Sequence, residues 1–172
     1  SVAFKPLAVS EETVSLIAEL AFSENGNARF AIELLWRAGK YADAEDLATV
    51  MPECVRKAVS SIIPTIRKSE LATLKLHEKL FLLGVARFFK EDQRSYATLA
   101  EIERAYVVGC EEFNEQPHSH TQLWKYLQLL SVLGILKTEV TSAGTRGRST
   151  LVYLPRSSAR ELEKELCAFL GK

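Results

Sequence analysis

Leu136-Lys137-Thr138-Glu139-Val140-Thr141, Ser142-Ala143-Gly144-Thr145-Arg146-Gly147-Arg148-Ser149 and Thr150-Leu151-Val152-Tyr153-Leu154 follow one another, and this stretch decides the fold. The outer segments are rich in Val, Thr, Leu and Tyr, so strands are expected at Leu136–Thr141 and Thr150–Leu154. The middle segment, with its glycines and arginines, reads as a hairpin tip. Upstream the pattern is helical. His77–Phe89 is strongly apolar, and Tyr96–Phe113 places Leu99, Ile102, Ala105, Tyr106 and Val108 on a buried side. Pro117-His118-Ser119 precedes a third helix that runs to Leu133 and stops at Gly134. An amphipathic helix, Ser157–Leu170, closes the chain. Three helices followed by a β-hairpin is the order of a winged helix-turn-helix domain.

The N-terminal part reads as a small helical bundle. Ser10 suits an N-cap, Glu11 and Glu12 complement the helix dipole, and Val14, Ile17, Ala18 and Ala21 mark the expected core face. Gly26 suits a left-handed helix stop and Asn27 caps the next helix, whose stripe is Ala31, Leu34, Leu35, Ala38, Tyr41 and Ala42. A third helix starts at Pro52 and runs through Val55, Ala58, Val59 and Ile62 to Pro64.

Composition bounds the rest. The chain has 172 residues, 47% hydrophobic and 26% charged, which excludes a disordered or collagen-like chain. The apolar run Leu80–Ala86 is closed by Arg87, short of the roughly 18 residues of a membrane span, and the N-terminus lacks an export signal. Three cysteines, Cys54, Cys110 and Cys167, are far apart and argue against a disulfide framework or zinc site. We therefore expect a cytoplasmic protein without a membrane partner.

Net charge is zero, but unevenly distributed. From Pro117 to Arg160, Lys125, Lys137, Arg146, Arg148, Arg156 and Arg160 face only Glu139, whereas Glu101 to Gln116 holds Glu101, Glu103, Glu111, Glu112 and Glu115 against Arg104. A phosphate surface responds to such local excess. In the helix after Ser119, Leu123, Tyr126, Leu127 and Leu130 share the core face, leaving Ser119, His120, Gln122 and Lys125 outward near its N-terminal end, where a recognition helix meets the major groove. A plain capped surface helix has the same pattern. Arg146 and Arg148, on a glycine-flanked tip with no acid beside them, suit a phosphate backbone or narrow minor groove; a solubilising turn is the alternative. His118 and His120 lack an acid or thiol at ligand spacing, so no metal site is expected, and His77-Glu78 lacks the second histidine of a zinc protease signature. No nucleophilic triad stands out. Arg29 in the first turn of a helix opposes the dipole, as either an ordinary surface arginine or a cation aimed at phosphate.

The segment Gly26-Asn27-Ala28-Arg29-Phe30-Ala31-Ile32-Glu33-Leu34-Leu35, continued through Ala38-Gly39, resembles the Gly-Asp-x-Arg-x-Ala-x-x-x-Leu-x-x-Ala-Gly segment in the lid of archaeal origin-recognition/cell-division-control initiators of the AAA+ class. Pro117-His118-Ser119-His120, Leu129–Leu136 and the Gly-Arg tip are similar to the winged helix of that family, in the same order. The resemblance implies a mainly α chain: a truncated AAA+ lid in residues 1–75, then a winged helix in 76–172 with a hairpin wing. It implies a replication initiator that binds origin duplex DNA, coupled in the intact protein to ATP state. Ser119, His120, Thr121, Gln122, Lys125, Thr145, Arg146, Gly147 and Arg148 are the DNA-binding residues it implies, and Arg29 is the sensor 2 residue that touches nucleotide phosphate.

The implied partners are the AAA+ base domain, the replicative helicase and other initiator copies. ATP or ADP with Mg is the cofactor expected in the intact protein, with none in this part. Asn27 replaces the family's aspartate, and Thr121-Gln122 stand where arginines are expected. No G-x-x-x-x-G-K-[ST] occurs, so the chain is expected to be a C-terminal fragment without ATPase activity of its own. A winged-helix transcriptional regulator and a winged helix used for protein contacts are the rival readings; Arg146 and Arg148 count against the latter, and Glu111, Glu112 and Glu115 for it.

Overall fold

The computed structural model describes residues 8–24, 26–62, 68–92, 94–141, 149–155 and 157–171. Along the chain these form α1 (Glu11–Ser23), α2 (Ala28–Ala44), α3 (Pro52–Ile62), α4 (Lys68–Thr73), α5 (Leu76–Glu91), β1 (Ala97–Thr98), α6 (Leu99–Glu112), α7 (His120–Val132), β2 (Lys137–Thr141), β3 (Ser149–Tyr153) and α8 (Ala159–Leu170).

The first core belongs to α1, α2 and α3. Ser10 caps α1 by accepting the Thr13 N–H at 3.2 Å, and Asn27 caps α2 by accepting from the Arg29 and Phe30 N–H groups. The buried face of α1 is Thr13, Leu16, Ile17, Leu20 and Ala21, whereas Val14 and Ala18 are exposed, contrary to the apolar spacing. The stripe is turned because a polar residue takes a core position: the Thr13 hydroxyl is buried and donates to the Val50 carbonyl at 2.7 Å.

The second core is the winged helix, with α5 at its centre. Leu71 and Leu74, around the end of α4, pack into it from the N-terminal side of residue 75. The helix read from Tyr96 begins instead at Leu99. Thr98 and Glu101 form a capping box there, with Glu101 accepting the Thr98 N–H at 2.8 Å. Ala97 and Thr98 are released to form β1, paired antiparallel with Val152 and Leu151 of β3. Val108 is exposed, and Gly109 and Cys110 take the buried face in its place. The sheet order is β1-β3-β2, with β2 and β3 registered from Lys137↔Tyr153 to Thr141↔Ser149.

Polar groups join the two parts. Arg56 of α3 is fully buried; its Nε donates to the Leu154 carbonyl and its Nη2 to the Arg94 carbonyl, each at 3.1 Å. Its guanidinium lies over the Phe89 ring, 4.6 Å from the centroid. Burial pulls its pKa down to about 10, which leaves it charged at neutral pH. Glu53, one turn earlier, approaches it at 3.6 Å and also accepts from the Ser158 hydroxyl at 2.6 Å and the N–H groups of Ala159 and Arg160. A carboxylate of the bundle thus satisfies the N-terminus of α8. Glu12 adds a bond to the Ser95 hydroxyl, and Lys137 of β2 pairs with Glu19 of α1.

Candidate nucleic-acid interface

The face of α7 follows from its core contacts. Leu123, Tyr126, Leu127 and Leu130 are buried, which turns Ser119, His120, Thr121 and Lys125 to solvent and leaves Gln122 half-buried. Five of the anticipated site residues therefore cluster around the N-terminal end of one exposed helix face. Trp124 lies beside them, partly exposed. His120 is paired through Nδ1 with Glu103 of α6 at 2.9 Å, a pairing across 17 positions that no local spacing rule reveals.

The hairpin stem is in place, closed by the Thr141↔Ser149 pair. Thr145, Arg146, Gly147 and Arg148 lie outside the described residues. Two of the basic residues in this segment have acidic partners: Lys137 with Glu19 and Glu139, and Arg160 with Glu45. The lysine's pKa is raised: burial lowers it, but the two carboxylates outweigh burial. Lys125 remains exposed. The acids of α6 and the loop after it are largely committed inside the domain: Glu101 to Arg94, Glu103 to His120, Glu112 to Arg87 and Glu115 to His77. Of the three acids on which the protein-contact reading drew, Glu112 is ion-paired with Arg87, Glu115 lies 3.7 Å from His77 Nε2 and Glu111 is exposed.

Beneath the first turn of α7 lies a cluster of four rings, His77, Tyr106, His118 and Tyr126. Its histidines have no metal-ligand spacing in the sequence, and only the fold reveals what they do. Among the described residues no group of three or more His, Cys, Asp or Glu side chains could hold a metal ion.

Arg29 is exposed on the first turn of α2, its N–H bonded to Asn27 Oδ1 at 3.1 Å, with no ion pair to an acid among the described residues. Arg29→Ala is expected to leave thermal stability within about 0.5 kcal/mol of the parent, as for an unburied surface change. A denaturant melt with a larger loss would make Arg29 a structural residue.

Two family models match the chain: the Cdc6 AAA+ ATPase-type lid domain over residues 1–60, and the CDC6 C-terminal winged helix domain over residues 69–163. The ORC1-type DNA replication protein 2 of Saccharolobus solfataricus is 37% identical over 157 residues, covering 88% of this chain and 38% of that protein. The ORC1-type DNA replication protein of Methanocorpusculum labreanum is 30% identical over 151 residues, covering 88% and 35%. Among solved structures, Cdc6p from Pyrobaculum aerophilum superposes with a TM-score of 0.78 at 32% identity, over 95% of this chain and 43% of that one. The Aeropyrum pernix ORC1 protein in complex with DNA gives 0.55 at 30% identity, over 96% and 42%. The chain thus spans about two-fifths of the length of the relatives it matches. No helix among the described residues is long and apolar enough to cross a membrane.

Proposed function

The chain belongs to the Cdc6/ORC1-type replication initiator family, matching its lid and winged helix, and from that premise we propose that it binds duplex origin DNA. The observation that carries this reading is the solvated polar end of α7, where Ser119, His120, Thr121, Gln122 and Lys125 stand together on a helix whose opposite face is locked in the core. In this reading α7 enters the major groove, with Lys125 on a base edge or phosphate. The wing, carrying Thr145, Arg146, Gly147 and Arg148, follows the adjacent backbone or minor groove. That an ORC1 protein 30% identical to this chain forms a complex with DNA supports the DNA-binding reading. Arg29, exposed on the lid, is assigned to the phosphates of ATP or ADP, with Mg, held by an AAA+ base domain. ATP state would then act on DNA binding through the lid.

The test is a fluorescence anisotropy titration of a labelled duplex at several salt concentrations. Arg146→Ala/Arg148→Ala frees two phosphates, so the plot of log K against log salt is expected to become shallower by roughly 0.9 for each phosphate no longer neutralised. Lys125→Ala is expected to weaken binding, and also to relax sequence preference if it meets a base. Unchanged affinity and slope on substitution at all three positions would defeat the reading.

A further inference from the structure

The first turn of α7 rests on rings rather than on a cap. Ser119, at the N-cap position, makes no side-chain capping bond. Instead His77 of α5 and His118 of the α6–α7 loop stack, with centroids 3.7 Å apart and planes 25° apart. Tyr106 of α6 is fully buried; its hydroxyl oxygen accepts the His118 N–H at 3.1 Å and lies 2.8 Å from His77 Nδ1. Tyr126 of α7 closes the set through its hydroxyl and His118 Nδ1. Phe81 packs against both tyrosines.

We propose that the stacked His77–His118 pair is a proton-operated seat for the recognition helix: it holds the first turn of α7 while at most one ring is charged, and opens when both are. The seat itself stands on this geometry; its consequence, weaker duplex binding in mild acid, rests on the reading of α7 as the DNA-facing helix. Two imidazolium rings in stacking contact repel at close range, with His118 exposed on its outer side. A second proton also converts a ring nitrogen from acceptor to donor, so a tyrosine hydroxyl that donates to that nitrogen loses its acceptor.

The titratable groups around the pair are Glu115 in the loop, with Oε2 3.7 Å from His77 Nε2; Tyr106 on α6, beside Cys110; and Tyr126 on α7, which also senses Glu78 of α5. Glu115 favours a first proton on His77. Burial and then His118 oppose it, and together they hold His77 below the ordinary imidazole range. An unfolded histidine takes up its proton near pH ~6.5. The folded chain resists, so the seat's stabilisation is complete above that pH and is lost as pH falls through the window below it.

The experiment follows the histidine ring signals and the amide protection of Gln122 and Leu123, which donate to the Ser119 carbonyl, by NMR from neutral to mildly acid pH. The His77 titration is expected to lie below the ordinary imidazole range, and the second protonation of the pair should coincide with a loss of protection of those amides. His77→Phe keeps a stacking ring that cannot be charged, and should hold protection flat across the range. His118→Phe provides the reciprocal variant if the first melts early at neutral pH. Duplex affinity is read alongside, in parent and variant. Independent titrations at the ordinary pKa, or the same protection profile in parent and His77→Phe, would overturn the seat. Loss of protection as expected, with no duplex binding at any pH, would overturn the DNA reading and uphold the seat.

Discussion

Glu53→Ala is expected to lower folding stability by about 3–5 kcal/mol, the loss typical of stripping one partner from a buried charge pair. Two deficits arise together. The Arg56 guanidinium, fully buried, loses its nearest counter-charge, and the N-terminus of α8 loses the carboxylate that accepts from Ser158, Ala159 and Arg160. Glu53→Gln keeps an acceptor but not the charge, and is expected to lie between parent and alanine. Arg56→Met is expected to lose less than Glu53→Ala, because it leaves Glu53 with its three donors and puts an apolar chain against Phe89. Calorimetry checks all three. In Glu53→Ala the lid and winged-helix transitions are further expected to draw apart, since the change removes three of the bonds between them and leaves those of Arg56, Glu12 and Lys137. An unchanged single transition at the parental temperature would count against the interface as described.

Gly84→Ala is expected to destabilise the winged helix by about 1–3 kcal/mol, although alanine improves helix propensity by ~1 kcal/mol. A Cβ at Gly84 would sit 2.9 Å from the Tyr106 backbone nitrogen and 3.1 Å from its Cα, so α5 and α6 have to move apart. Gly109→Ala is the internal control. Its Cβ meets only the Leu80 carbonyl oxygen at 3.9 Å, an ordinary contact, and the change is expected to be neutral or stabilising. Chemical denaturation of the pair separates packing from propensity, and a stabilised Gly84→Ala protein would show that the two helices tolerate the shift. Because Tyr106 stands at the point of contact, Gly84→Ala should also loosen the rings under α7.

What can be read from the sequence is what repeats locally. The four core positions of α7 are spaced for one face, and that spacing turns Ser119, His120 and Lys125 outward, whereas Gln122, read as outward with them, is half-buried. The hairpin strands and the N-cap roles of Ser10 and Asn27 are legible for the same reason: each depends on neighbours within a few residues. The failures are equally physical. β1 is two residues long, too short for alternation, and exists because β3 pairs with it from more than fifty positions away. Thr13 looks polar and therefore exposed, until the Val50 carbonyl satisfies it. Arg56 sits among Val55, Ala58 and Val59, where an arginine reads as the solvent side of a helix; its acceptors on Leu154 and Arg94 are set by tertiary structure alone. The rings beneath α7 come from three helices and a loop, and no spacing rule joins His77 to His118.

The carboxylate that completes α8 lies 105 residues before Ser158. During synthesis the ribosome releases the N-terminal bundle first, and domains fold largely in that order. The last helix to emerge therefore meets a ready-made anchor: Ser158 caps the Glu161 N–H locally, and Glu53, already presented on α3 when Ser158 leaves the exit tunnel, accepts the N–H groups of Ala159 and Arg160 that this cap leaves open. A chain made in the permuted order, winged helix first, would have to hold that helix end open to water until the bundle arrived.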